Sequence, residues 1–150
     1  MGRIDRLSRM RKQVDNGGVL DDLGADAALD HPPERVVSLV PSLTEAIALT
    51  VPGVLVGATN WCTHPAGLDI TRVRGTKNPD RAAIAALRPD LVVANQEENR
   101  RVDVERLRSA GIPVWVTRID GIDDALGSMA RLFREGFGLR EVGWLEEARE

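Results

Sequence analysis

Apolar residues along this chain gather in short runs bounded by polar turns, a pattern that predicts buried strands alternating with helices. Val36 to Val40 reads as a buried strand that ends at Pro41. Ser42 then stands three residues before Glu45, the capping-box spacing in which a hydroxyl and a carboxylate each satisfy an orphan amide, so a helix is expected to start there and run through Leu43 to Leu49. Val51-Pro-Gly53 breaks it before a second strand, Val54 to Ala58. Pro79 is expected at a first helical position, introducing a helix from Asp80 to Leu87 that Pro89 closes, and Leu91 to Ala94 is the third strand. A helix from Asn99 to Ala110 should turn Val102, Leu107 and Ala110 to the core, with Gly111 as its carboxyl cap. Ile112 to Thr117 is the fourth strand, and Pro113 near its start argues for an edge or entry position. Ile122 to Phe133 and Leu139 to Arg149 read as two final helices, parted by Gly136 and Gly138. Strand and helix in alternation imply the α/β class, with a central, mostly parallel sheet flanked by helices. In such a sheet, ligands are held outside the carboxyl ends of the strands, where loop amides point outward.

Ahead of this core, Gly24 divides Val19 to Leu29 into two short segments, which suggests a small hairpin, and His31-Pro-Pro-Glu34 then stops regular structure. Residues 1–18 read as a loose or weakly helical amino-terminal extension. Its charges are not followed by the apolar core of a secretory signal, and no run approaches the ~18 apolar residues of a membrane span. As the sequence stands, the reading is therefore a cytoplasmic chain without a membrane span.

The chain of 150 residues is the size of one ordinary domain and long enough to bury roughly 70 % of its unfolded surface. A net charge of −3, with basic residues scattered among acids, gives no electrostatic case for nucleic acid. Cys62 is the only cysteine, which excludes an intrachain disulfide.

Three polar loops follow, the first and the third at predicted strand ends. The first, Thr59 to Pro65, carries Trp61, an indole outside any apolar periodic run and so free to stack on a flat ligand, whereas Trp115 and Trp144 lie in core-facing patterns. Cys62 and His64 share that loop, as a thiol beside its base or as a buried small thiol and a loop histidine. With His31 they are the only soft ligands in the chain, fewer than the four of a closed zinc site, so no metal centre is expected. The second loop, Val73 to Pro79, contains Gly75-Thr-Lys77 without the full phosphate-loop pattern. A triphosphate site is thereby excluded, although Lys77 near a helix start remains able to attract an anion. The third, Asn95 to Asn99, is polar and begins at a strand's carboxyl end.

Three stretches, Arg35-Val-Val-Ser-Leu-Val-Pro-Ser-Leu-Thr-Glu45, Val56-Gly57 and Ile84-Ala-Ala-Leu-Arg-Pro-Asp-Leu-Val-Val-Ala94, together with Gly111-Ile-Pro-Val114, resemble the amino-terminal lobe of the cobalamin and iron-siderophore substrate-binding proteins of ABC importers. The cobalamin-binding branch is the most similar. The resemblance implies a single Rossmann-like lobe over residues 19–138, ending in the start of a long backbone helix at 139–150. It implies a non-catalytic role in transport, holding a cobalamin-like corrinoid or a metal-chelate ligand with no cofactor of its own. Pro41 and Ser42 match the family's cleft loop and Trp61 an aromatic that packs on the corrin, while Thr76 and Asn95 stand where two further family tryptophans would fall. Pro41, Ser42, Trp61, Thr76, Lys77, Asn95 and Gln96 are thus the residues expected at the ligand. An acidic residue that docks this lobe to the permease would fall at Ala82, with Asp80 nearby. In the family a second lobe completes the clamp, so a lobe alone is expected to expose its cleft face and to pair with a second copy. Two other readings stand beside this one: an interaction module using the same surface, and a small α/β enzyme using Cys62 and His64.

Overall fold

A computed structural model describes residues 18–149, so the expected extension lies outside the described residues apart from Gly18. Five strands form one parallel sheet in the order β3-β2-β1-β4-β5. They are β1 (Val36–Ser38), β2 (Leu55–Ala58), β3 (Thr71–Arg72), β4 (Leu91–Asn95) and β5 (Val114–Thr117). Helices α1 (Pro41–Thr50), α2 (Arg81–Ala86), α3 (Arg101–Ser109) and α4 (Ile122–Arg131) follow, then a π-helical turn at Leu132–Gly136 and α5 (Gly143–Arg149).

Successive strand residues point to opposite faces, and both faces are apolar. Val36, Val93 and Trp115 face one cluster with Leu43 and Ile47 of α1, Leu132 and Phe133 of the π turn, and Leu145 of α5. Val37, Val92, Val114 and Val116 face the other with Ile84 of α2 and Val104 and Leu107 of α3. Gly57 permits the close approach of α2, since a Cβ there would lie 2.7 Å from Leu87 Cδ1 and 3.2 Å from Val37 Cγ2.

The structure corrects several expectations. The sheet has a fifth strand, two residues long, paired as Gly57 with Thr71 and Ala58 with Arg72. On α3 the core face is carried by Val104 and Leu107, while Val102 is 40 % exposed and Ala110 is exposed. Asp80, not a helix led by Pro79, opens α2: its carboxylate accepts the Ala83 amide at 3.0 Å as an N-cap. The segment after α4 winds into the π turn, and α5 begins only at Gly143.

The capping box at Ser42 is also absent. Val40 is the N-cap of α1 and Pro41 occupies the first turn, where its missing N–H is no loss. Ser38 Oγ and Thr44 Oγ1 each donate to the Val40 carbonyl at 3.0 Å, and the Thr44 amide donates to it at 2.9 Å. The turn is therefore locked from the strand side and from inside the helix. Ser42→Ala is expected to change stability by less than ~0.5 kcal/mol, as for an exposed residue without a partner, while Thr44→Ala costs about 1 kcal/mol or more. Chemical denaturation of the two variants checks this, and a larger loss in the Ser42 variant would restore the serine as the cap.

At the other end of the sheet the expected hairpin is a tight turn with a single bridge between Leu20 and Asp26, and Gly24 adopts φ 78°. This turn closes the outer edge of β5. The Asp22 amide donates to the Val116 carbonyl at 3.2 Å, Asp21 Oδ2 accepts the Val116 amide at 3.1 Å, and Asp22 Oδ2 accepts the Arg118 amide at 3.0 Å. An open strand edge is a template for unwanted pairing, and here its polar groups are taken.

Candidate functional site

Connections leave β1 toward β2 on one side, while β4 lies on its other side, so the strand order reverses between β1 and β4. The crevice at such a switch point, at the carboxyl ends of the strands, is where an open α/β sheet holds ligands. Three loops meet there: β1 to α1, β3 to α2, and β4 to α3. The loop after β2 borders them.

That bordering loop presents Trp61, which is 68 % exposed. Two devices hold the loop down. Arg72 at the end of β3 donates through Nη1 to the carbonyls of Thr59 at 3.0 Å and Cys62 at 2.8 Å, and through Nη2 to that of Leu68 at 3.2 Å. Cys62 is fully buried beneath it, with Sγ 2.9 Å from Thr44 Oγ1 and 3.2 Å from Thr59 Oγ1. His64 is exposed and is not among the thiol's partners. The thiol-and-base reading is thereby corrected: Cys62 faces inward to two threonine hydroxyls and serves as an anchor. Among the described residues no group of three or more His, Cys, Asp or Glu side chains is placed to hold a metal ion.

Trp61 lies against the next loop. A Cβ on Gly75 would stand at an ordinary contact distance of 3.5 Å from the indole Nε1 and would collide within its own loop with Asn78 Oδ1, while the Asn60 amide donates to the Arg74 carbonyl at 2.7 Å and joins the two loops. Thr76 follows, half-buried, and exposed Lys77 reaches across to donate from Nζ to the Glu97 carbonyl of the third loop. Gln96 is exposed beside it, while Pro41 is half-buried and Ser42 exposed at the start of α1. The structure thus joins Trp61, Thr76, Lys77 and the Gln96–Glu97 segment into one rim.

Asn95 is different. It is the last residue of β4, 6 % exposed, and its side chain is committed inward. Oδ1 accepts the amides of Glu97 at 2.9 Å and Glu98 at 3.2 Å, and Nδ2 donates to Thr117 Oγ1 at 3.2 Å. It shapes the floor of the crevice. Arg72 and Asn99 are the residues that sequence reasoning missed. An arginine in a segment with no apolar run, and an asparagine four residues after the strand-end Asn95, were the available signals.

A separate groove lies elsewhere. A space of about 650 Å³ opens beside α4, lined by Asp22, Arg118, Asp124, Ser128, Arg131 and Arg134 among others. Asp22 there is paired with Arg131 at 3.0 Å and bonded by Ser128 Oγ, and Arg131 also meets Glu135 at 3.0 Å. Its inner charges neutralise one another.

No protein-family model matches the chain. A cobalamin-binding protein of Halobacterium salinarum is 37% identical over an alignment of 112 positions that covers 69% of this chain and 30% of that protein. A vitamin B12-binding protein of Vibrio parahaemolyticus is 29% identical over 106 residues, 69% of this chain and 38% of that protein. The chain therefore spans about a third of the length of the curated relatives it matches. The crystal structure of the periplasmic vitamin B12 binding protein of Vibrio cholerae shares the fold, with a TM-score of 0.66 and 24% identity over 79% of this chain and 46% of that one. No helix among the described residues is long and apolar enough to cross a membrane.

Proposed function

We propose that this chain is a non-catalytic lobe of the cobalamin and siderophore type of ABC-importer substrate-binding protein, a reading that its relatives named for cobalamin and vitamin B12 binding support, and that it holds a cobalamin-like corrinoid or a metal chelate such as haem on the rim described above. The single observation that carries the reading is Trp61. A 68 % exposed indole, on a loop whose backbone Arg72 holds and with Gly75 beside its Nε1 edge, offers an apolar plate to a planar ligand at the carboxyl ends of the strands. Lys77 and Gln96 supply polar contacts at the ligand's edge, and the first turn of α1 with Pro41 and Ser42 closes the near side. Thr76 and Asn95 add no ring, so one plate does the stacking. No side chain of the rim is set to ligate the ligand's metal.

The partner that follows from this reading is an ABC permease, and a second copy of the chain is able to cover the same exposed face. Asp80, the acid near the position expected to dock a permease, is engaged as the cap of α2 and lies 3.9 Å from Arg74. Docking therefore falls to other groups on α2 or to none.

Titration with cobinamide and with haem, followed by indole fluorescence and ligand absorbance, tests the reading. Binding is expected to quench Trp61, with micromolar or weaker affinity, because one face buries less than the 70–90 % of ligand surface typical of a closed pocket. Trp61→Ala is expected to weaken it by about 1 kcal/mol or more. An absent quench and no absorbance change with both ligands would remove ligand binding and leave pairing of copies as the better reading, and an unchanged affinity in the variant would take the ligand off Trp61.

A further inference from the structure

One buried side chain ties together all three loops of the crevice. Asn99 is 4 % exposed, and a primary amide has two N–H donors and two acceptor lone pairs. Its Nδ2 donates to the Leu39 carbonyl at 3.2 Å, where the chain leaves β1 for α1, and to the Thr76 carbonyl at 3.1 Å, in the β3–α2 loop. Its Oδ1 accepts the Asn95 amide at 2.8 Å, where β4 ends. These partners are not neighbours in sequence, being 60, 23 and 4 residues away. No aspartate would serve, since a carboxylate has nothing to donate to the two carbonyls.

We infer that Asn99 is the positioning residue of the binding face: it sets the Gly75–Lys77 loop, and through it Trp61, against the first turn of α1. The inference rests on the binding reading for its functional sense, yet its geometric content stands apart. The loop that Asn99 holds at Thr76 is the one whose Gly75 lies beside the Nε1 edge of the Trp61 indole, whose Arg74 carbonyl accepts the Asn60 amide at 2.7 Å, and whose Lys77 bridges to Glu97. Releasing Thr76 therefore releases the plate. The loop after β2 alone does not determine where Trp61 rests: Arg72 and Cys62 hold its backbone, and the β3–α2 loop flanks the ring at Gly75.

Asn99→Asp tests this, because it keeps the shape and the acceptor for the Asn95 amide while setting a carboxylate oxygen against two carbonyl oxygens. That repulsion is removed on protonation, which returns one donor. Burial facing carbonyls raises an aspartate above its ordinary pKa of ~3.9, so the return falls within a workable pH range. In the ligand-free protein, the difference in fluorescence between Asn99→Asp and Asn99→Asp/Trp61→Phe isolates the Trp61 emission. That emission is expected to shift at pH 7.5 and to revert toward the wild-type spectrum as the pH falls to ~5, while the wild type changes little. Cobinamide affinity should fall roughly tenfold or more at neutral pH and recover in parallel. Asn99→Ala, which loses both donors without adding charge, should shift Trp61 emission with no recovery in acid, and it decides the matter where the aspartate variant does not fold. Unchanged Trp61 emission in both variants, or a shift in Asn99→Asp that acid does not reverse, would overturn the inference. Absence of cobinamide binding by the wild type would overturn the binding reading and leave the emission arm to judge Asn99.

Discussion

Asp21→Ala is expected to lower stability by about 3 kcal/mol, the largest loss for any single polar side chain here. The Asp21 carboxylate is wholly buried and accepts four hydrogen bonds: the Leu23 and Ala25 amides at 2.9 Å each, the Val116 amide at 3.1 Å and Arg108 Nη2 at 2.9 Å. Truncation leaves the Val116 amide of the edge strand without its partner and strips Arg108 of its counter-ion. Removing one member of a buried pair costs about 3–5 kcal/mol. The Arg108 side chain is 31% exposed and keeps its bond to the Val114 carbonyl at 3.0 Å, so the lower end applies. Asp21→Asn should cost less, since it keeps two acceptor lone pairs, but its amide nitrogen must then face a donor. Urea denaturation of both variants is the check. A loss below ~1 kcal/mol for the alanine would show that the turn does not hold the β5 edge.

This turn shows how far the sequence was legible. Gly24 between two short segments announced a reversal, but nothing in the residues around it said that the two aspartates would serve a strand some ninety positions later. Long apolar runs were readable because a buried parallel strand has little other pattern to show. Val36 to Val40, Val54 to Ala58 and Ile112 to Thr117 each contain an observed strand, and Leu91 to Ala94 falls one residue short of β4, which ends at Asn95. β3 was not readable, since two exposed residues carry no periodicity and owe their pairing to Gly57 and Ala58. Ser42 misled for a physical reason: the capping-box spacing was present, but the Val40 carbonyl already draws Ser38, Thr44 and the helix amide, which starts the helix earlier.

The site divides along the same line. Trp61, an aromatic in a polar loop, stands out in sequence because its exposure needs no tertiary context. Asn95 looked like a ligand contact because it is polar and at a strand end, yet polarity alone does not tell an outward amide from one that satisfies buried loop amides. Arg72, Cys62 and Asn99 act through backbone carbonyls or hydroxyls brought near by folding, so their roles became visible only with the coordinates. Nothing in local spacing distinguishes the buried thiol of Cys62 from a reactive one.

Phe133→Ala is expected to cost about 3–5 kcal/mol and to loosen the last helix. Phe133 is fully buried in the π turn. Its ring centroid lies 5.6 Å from that of Phe137 and 6.5 Å from that of Trp144, the latter edge-on at 83°. Such pairs add about 0.5–1.5 kcal/mol beyond the area buried. Trp144 stands at the start of α5, and its Nε1 donates to Thr50 Oγ1 at 2.8 Å, the last residue of α1. Phe133 and Thr50 therefore clamp the same indole from two sides. Together with Leu139, Val142 and Leu145 they draw residues 139–149 onto the lobe's own core. Removing the ring leaves a cavity walled by rigid elements on every side, and seven residues of helix are too few to hold themselves without packing. The variant should lose stability in denaturation and show faster amide exchange over Gly143 to Ala148 than over α1. Phe133→Leu, which refills most of the volume, should recover more than half of the loss. Equal exchange in α5 for wild type and Phe133→Ala would mean that the helix is held by the Trp144–Thr50 bond and its aliphatic contacts, and that the aromatic cluster stabilises only the π turn.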